Sequence, residues 1–203
     1  MTVVVDFDGT ITVEDTLVMV ISEFGDWQVF QEAAAALDRG EITLHEEIRR
    51  DCEPITAPLE EVVPWLVEHA EVRPGFRELA FARRPLIVSS NFHELIEPLL
   101  RREGVELEVR ANRLDPRPDG WRTIFRNAES CDTCGEPCKR SDLPAGEVVY
   151  VGDGYSDRCA ALAADRVFAR DGLAAYLAKQ GTTFEPFDDF RDVVAALPVP
   201  SPR

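Results

Sequence analysis

Two aspartates one residue apart, Asp6 and Asp8, follow the run Val3-Val4-Val5 and open the segment Asp6-Phe7-Asp8-Gly9-Thr10. On an extended chain residues i and i+2 point the same way, so both carboxylates leave one strand end together. Two like charges about 4 Å apart repel by roughly 4 kcal/mol at an effective dielectric of 20, so the pair calls for a cation or a proton between its members. Gly9 lets the chain turn away sharply. By itself the segment reads equally as a solvated acidic turn. A second β-rich run, Val148–Val151, ends in Gly152-Asp153-Gly154-Tyr155-Ser156-Asp157, with acids four apart at a loop-to-helix start. One such Asp can be a helix cap. Two strands that both end in paired acids point instead to oxygen ligands converging on Mg²⁺, from Asp6, Asp8, Asp153 and Asp157.

A third run, Leu86–Val88, leads into Ser89-Ser90-Asn91 ahead of a helical pattern. Hydroxyls and backbone N–H groups at a helix start form an anion site, although capping explains Ser90 or Asn91 as well. Lys139, in a loop before the fourth run, is on its own a solvated charge.

The elements that must position these residues alternate. Short β-rich runs lie at Val3–Val5, Leu86–Val88, Val105–Val109, Val148–Val151 and Val167–Ala169. Helical patterns lie at Pro74–Ala82, Glu94–Glu103, Ser156–Ala164 and Leu173–Lys179. Apolar strands separated by helices give an α/β fold, a Rossmann-like parallel sheet covered on both faces. Between the first and second strands the chain reads as helix only, at Asp15–Phe24, Trp27–Asp38, Leu44–Cys52 and Leu59–Ala70. The expected organisation is a core of residues 1–14 and 73–203 with a helical cap at 15–72, a cleft between them, and apolar cleft walls from Phe24, Trp27 and Phe30. Residues 110–127, turning at Arg117-Pro118-Asp119-Gly120, read as a small β-hairpin. The tail from Pro198 to Arg203 reads as frayed.

The chain carries 22 Lys and Arg against 38 Asp and Glu, a net charge of −16. Nucleic-acid and anionic-membrane binders need a basic footprint, so neither partner is expected. A small anionic substrate stays compatible, because a bound dication reverses the field locally. No apolar run reaches a membrane span and no basic leader precedes the first strand, so a cytoplasmic protein with reduced cysteines is expected, as monomer or homodimer.

Asp-Phe-Asp-Gly-Thr after the first strand, Ser89 after the second, Lys139, and Gly-Asp-Gly-Tyr-Ser-Asp after a later strand stand in this order along the whole chain. The set resembles the haloacid dehalogenase (HAD) superfamily of phosphatases, and the cap's position resembles its phosphoserine-phosphatase-like branch. Cys131-x-x-Cys134-x-x-x-Cys138-Lys139 resembles the methionine-salvage 2-hydroxy-3-keto-5-methylthiopentenyl-1-phosphate phosphatases and the phosphoethanolamine/phosphocholine phosphatases. Asp15 is similar to the methionine-salvage enzymes, where phosphoserine phosphatases carry Glu. Ser90-Asn91 departs from the Gly-Gly pair usual after the motif serine.

The resemblance implies a Mg²⁺-dependent phosphomonoesterase acting on a small phosphorylated metabolite. Asp6 would be the nucleophile and form an aspartyl-phosphate, Asp8 the acid and base, and Ser89 and Lys139 the phosphoryl ligands. It implies one Mg²⁺ per site on Asp6, the Asp8 carbonyl and Asp153, supported by Asp157. Ser90, Asn91 and Gly154 are expected to face substrate, and Arg50 matches the position of a cap arginine in phosphoserine phosphatases. A dehalogenase on this fold needs no second acid/base, a mutase keeps both aspartates, and a non-enzymatic binding module would lack one of the four motifs. A zinc site normally takes four ligands; Cys131, Cys134 and Cys138 are three, with Cys159, Asp132 or a His as open candidates. Reduced packing cysteines are favoured over zinc.

Overall fold

The structure, a computed structural model, describes residues 1–198. The frayed tail expected from Pro198 lies, from residue 199 on, outside the described residues. Strand β1 (Thr2–Val5) sits at the centre of a seven-stranded sheet with β2 (Leu86–Phe92) and β5 (Val148–Gly152) parallel on either side. The sheet continues with β3 (Val109–Asp115) and β4 (Arg122–Ile124) beyond β2, and with β6 (Arg166–Ala169) and β7 (Glu185–Pro186) beyond β5. Only β4 runs antiparallel to its neighbour.

Alternation along the strands sorts the core into two layers. Val3 and Val5 pack with Ile87, Val149, Val151 and Phe168 beneath α5 (Phe76–Arg83), α6 (His93–Arg102) and α9 (Phe190–Ala196). Val4 packs on the other face with Leu86, Val88, Tyr150 and Val167, covered by α7 (Arg158–Ala161) and α8 (Asp171–Gln180). Each such valine side chain, fully buried, is worth about 1.5–3 kcal/mol, so three consecutive valines fix β1 as the centre of the sheet.

Between β1 and α5 stand four helices, α1 (Thr16–Phe24), α2 (Trp27–Asp38), α3 (Leu44–Cys52) and α4 (Leu59–His69). Side chains start three of them: Asp15 accepts from Leu17 and Val18, Asp26 from Gln28 and Val29, and Thr43 from Glu46. An antiparallel bridge between Thr12 and Val72 closes the base of this excursion. Val20, Ile21, Ile48, Val62 and Leu66 belong to the same apolar core as Phe7, Ile11, Leu95 and Leu99, so the helices and the sheet share one core.

The hairpin forms as expected, with Asp115 opposite Arg122. Just before β4, fully buried Trp121 donates from its backbone N to Ile55 O at 3.0 Å and from Nε1 to Ala57 O at 2.9 Å, fastening the hairpin to the α3–α4 connection.

Three expectations need correction. Residues 105–108 form no strand; pairing with β2 begins at Val109 opposite Ile87, and before it Val105 N turns back to Leu100 O at the end of α6 while only Glu108 O reaches β2, accepting from Ile87 N. The helix read over Ser156–Ala164 is instead a 3₁₀ turn, Tyr155–Asp157, followed by the single turn of α7. Strand β7 and helix α9, where Asp189 accepts from Arg191, gave no signal in the reading of elements.

Candidate active site

Asp6 and Asp8 leave β1 at the carboxyl edge of the sheet, where strand order runs outward in both directions, the crevice in which open α/β sheets take ligands. Immediately afterwards the chain turns tightly, with Ile11 N and Thr12 N both returning to Phe7 O at 2.8 and 3.0 Å. Gly9 adopts φ +70, and a Cβ there would collide with the Asp153 carboxylate, so only glycine lets this loop lie against the end of β5. Buried Arg73 holds the loop from inside, donating to Gly9 O at 2.8 Å and Thr10 O at 2.9 Å.

From a 3₁₀ turn ahead of β5, Lys139 Nζ donates to Asp6 Oδ1 at 2.5 Å and to Asp157 Oδ1 at 2.8 Å. Asp157 Oδ1 also accepts from the Tyr150 hydroxyl at 2.7 Å, and its Oδ2 accepts from the N–H groups of Asp153 and Gly154, each at 3.0 Å. Asp153 Oδ1 accepts from Thr10 Oγ1 at 2.7 Å. Oxygens of Asp6, Asp153 and Asp157 lie within 4.8 Å of one another, facing one ammonium. Burial first, then Asp157, pushes the Asp6 carboxyl well above its ordinary range, and the same causes push Asp153 to about 6. Burial works against the Lys139 ammonium, but Asp157 and Asp6 outweigh it and hold it protonated. A buried cluster of oxygen donors short of positive charge fits a hard dication such as Mg²⁺. Asp6 and Asp153 have oxygens to give it; Asp157, shared among four donors, is placed to brace the site.

Asp8 is held differently. Its Oδ1 accepts from Thr16 N at 2.8 Å and Thr16 Oγ1 at 2.5 Å, and its Oδ2 from Asn91 Nδ2 at 3.0 Å. Burial raises its pKa and these hydrogen bonds pull it back. Neighbouring acids of one strand are thus set apart, Asp6 on an ammonium and Asp8 on neutral donors.

The acids open into a cavity of about 340 Å³ between the sheet edge and helices α1–α3, lined also by Ser89, Ser90, Asn91, Lys139 and Gly154. Ser89 Oγ accepts from Asn91 N at 3.1 Å. The Asn91 amide, expected to face substrate, is engaged with Asp8, and the Gly154 N–H with Asp157. Arg50 does not join the site: it is ion-paired with Glu46 at 2.7 Å and lies off the cavity wall. Of the three aromatics expected there only Phe30 lines the cavity; Phe24 packs edge-on against Trp65, and Trp27 is exposed. The upper wall carries Asp15, Glu47 and Asp51, with Leu17, Val18 and Ile21 beside them. Burial, then Asp8, holds the Asp15 carboxyl at about 7. A second cavity beyond Ser89 and Lys139, lined by Arg110, Arg126 and Arg158, reaches none of these acids.

Thr10, Thr16, Arg73 and Tyr150 hold the clustered carboxylates or their loop, and the sequence reading gave none of them a role. Thr10 lies inside the first motif and was legible there; the others are brought in by the fold.

A Rossmann-like sheet with these acids at its carboxyl edge defines an HAD-type hydrolase. The haloacid dehalogenase-like hydrolase family model matches residues 3–162, and the chain belongs to that family. It is 32% identical to the 2-hydroxy-3-keto-5-methylthiopentenyl-1-phosphate phosphatase of Geobacillus kaustophilus, over 95% of this chain and 93% of the relative. It is 28% identical to the polyol phosphate phosphatase PYP1 of Saccharomyces cerevisiae, over 95% of this chain and 90% of the relative. Among solved structures a phospho-aspartyl intermediate analogue of phosphoserine phosphatase superposes with a TM-score of 0.70 at 16% identity, covering 97% of this chain and 98% of that one, a likeness of fold.

Proposed function

We propose that the chain is a Mg²⁺-dependent phosphomonoesterase that hydrolyses a small phosphorylated metabolite through an aspartyl-phosphate. The observation that carries this reading is the division of labour at the end of β1. Asp6 lies on the Lys139 ammonium, whereas Asp8 is held by Thr16 and Asn91, and both face one cavity. Asp6 attacks phosphorus while the bond to the ester oxygen breaks, and Asp8 delivers its proton to that leaving oxygen. Water then attacks the acyl phosphate, its proton passes to Asp8, and Asp6 is regenerated as inorganic phosphate leaves. Ser89 and Lys139 are placed to take phosphoryl oxygens where charge develops. Asp6, Asp153 and the Asp8 carbonyl would hold Mg²⁺, which when bound supplies neutralisation of the phosphate charge. The helices of residues 15–72 act as a cap that excludes bulk water, over a core of 1–14 and 73–203.

The cavity wall favours one kind of leaving group. Lys139 is its one cation among the described residues, while Asp15, Glu47 and Asp51 face inward. A substrate with its own carboxylate, such as phosphoserine, would find no cation on this wall besides Lys139, which the phosphate takes. A neutral chain of hydroxyl or carbonyl groups with an apolar end suits the acids and Leu17, Val18 and Ile21, as in the methylthiopentenyl phosphate and polyol phosphates named for the relatives. A second reading, an ammonium-bearing ester such as phosphoethanolamine or phosphocholine, is favoured by one observation. Asp51 is buried on this wall, and its Oδ1 has no hydrogen-bond partner among the described residues.

The test is kcat/KM with Mg²⁺ on the methylthiopentenyl phosphate, a polyol phosphate, phosphoethanolamine, phosphocholine, phosphoserine and a phosphopeptide. Small esters without a carboxylate should lead. Release of phosphate from none of them, or best from the phosphopeptide, overturns the activity. A tenfold lead for phosphoserine, about 1.4 kcal/mol of transition-state binding, overturns the specificity.

A further inference from the structure

Residues 126–138, which lead into Lys139, contain no helix or strand and no large apolar side chain. Such a segment cannot hold its shape by burial. Yet it delivers the lysine that sits between Asp6 and Asp157. What converges beneath it is sulfur. Cys131, Cys134 and Cys138 from the loop meet Cys159 from α7, all four Sγ atoms within 4.8 Å of one another. The cysteines are unbridged, and Cys131 Sγ lies 3.8 Å from Cys159 Sγ. A disulfide would need about 2.05 Å. Four thiolates about 2.3 Å from a tetrahedral zinc stand about 3.8 Å apart, the spacing of the Cys131–Cys159 pair.

The local backbone is shaped for the same purpose. Gly135 takes φ +79 and donates to Cys131 O at 2.8 Å, curling the Cys131–Cys134 pair into a tight turn. That turn aims the backbone N–H of Thr133 at Cys131 Sγ at 3.4 Å. An N–H aimed at a sulfur stabilises a thiolate rather than a thiol.

We propose that Cys131, Cys134, Cys138 and Cys159 form a tetrathiolate site for one zinc ion, distinct from the acidic Mg²⁺ site. Binding releases the thiol protons to solvent and leaves no open position, so the ion is structural. The sequence reading counted three clustered thiols, left Cys159, Asp132 or a His open as the fourth ligand and favoured packing; the fold brings Cys159 to the other three. Cys138 directly precedes Lys139 and Cys159 follows Asp157 by two residues. The ion therefore staples both ends of the Lys139–Asp157 ion pair.

Full-length protein, purified without chelator and dialysed, should hold about one zinc per chain by elemental analysis. Protein stripped of metal and titrated with one equivalent of Co²⁺ should show sulfur-to-cobalt charge transfer and intense tetrahedral ligand-field bands. Cobalt on the carboxylates would show neither, so this result stands apart from the fate of the phosphatase reading. Cys159→Ser should lose the spectrum and Cys52→Ser, altering the buried cysteine outside the cluster, should keep it. Stripping should speed amide exchange across residues 126–139, and zinc but not Mg²⁺ should restore protection. Less than about a tenth of an equivalent of zinc as purified, together with no thiolate spectrum from stripped wild-type protein, overturns the site.

Discussion

Thr16 grips one oxygen of Asp8 through both its N–H and its hydroxyl, while Asn91 takes the other, so the carboxyl proposed to pass a proton is fixed in orientation. Asp6 is assigned a different task in the proposed mechanism, and Asp6→Asn keeps its shape while removing the proposed nucleophile. Turnover should fall at least a hundredfold, about 2.7 kcal/mol of barrier, with circular dichroism unchanged; retention of a tenth of wild-type activity rules out the covalent route. Away from the chemistry, burial and then Glu47 hold the Asp51 carboxyl at about 8, and burial and then Asp38 hold Glu47 at about 7. Both ionise near pH 4 in the unfolded chain. The folded state therefore binds more protons between about pH 4 and pH 8, and stability declines as pH rises through that window. Asp51→Asn removes that decline at its own position. Its gain in Tm should be at least about 2 °C larger at pH 8.5 than at pH 4.5, and equal shifts at the two pH values would contradict the buried charge. Asp6, Asp8, Ser89 and Asp153 were legible because each lies on a β-rich run or at its end, and Lys139 only through its place in the order of those motifs. Thr16 and Arg73 were not, because each is a helix-start or loop residue by type and acquires its role only when the cap returns the chain to the Gly9 turn.

Trp121 fastens the hairpin to the α3–α4 connection, which a three-residue strand cannot do by itself. Trp121→Ala should cost about 3–5 kcal/mol in urea unfolding, and Trp121→Phe, which keeps most of the volume but loses the bond to Ala57 O, about 1–3 kcal/mol. A cost near zero for Trp121→Phe would mean that the hydrogen bond contributes nothing. Gly120 beside it must be glycine, since a Cβ there would run into Glu53 O. At this scale the sequence reading placed α2 and α3 to the residue, because an Asp or Thr cap opens each helical pattern. It went astray at Val105–Val109, where alternation is the same with or without a partner strand, and at α7, where the Asp157 side chain folds the chain back before a helix can run on. Strand β7 is two residues long, too short for any periodicity to register.

Across the whole molecule the net charge of −16 is carried partly inward, onto the catalytic edge and the cap wall. A dication that binds only the folded acids should therefore stabilise the entire fold. At a hundredfold excess over its Kd, Mg²⁺ should add about 2.7 kcal/mol, read as a rise in Tm that EDTA reverses and Asp153→Asn abolishes. No change in Tm with Mg²⁺ would place the metal elsewhere. The layered sheet and its helical excursion were legible from the order of runs alone. The continuity of the core across them was not, since helix patterns state which face is apolar and not what it meets.

That continuity has a kinetic side. Helices α1, α3 and α4 all send side chains into the shared core, but the buried residues of α2 are Ala33, Ala36 and Leu37, and none of them belongs to it. Swinging all four helices away as one lid would expose the common core, at about 25 cal/mol per Å². Displacing α2 alone uncovers two methyl groups, one leucine and Phe30, which packs against the edge of that core, and Gly25 and Gly40 flank it. The same helix supplies Phe30, Ala34, Leu37 and Asp38 to the cavity wall. Substrate exchange should thus be gated by fast local opening of α2, with amide protons there trading with solvent well ahead of those in α1 and α4.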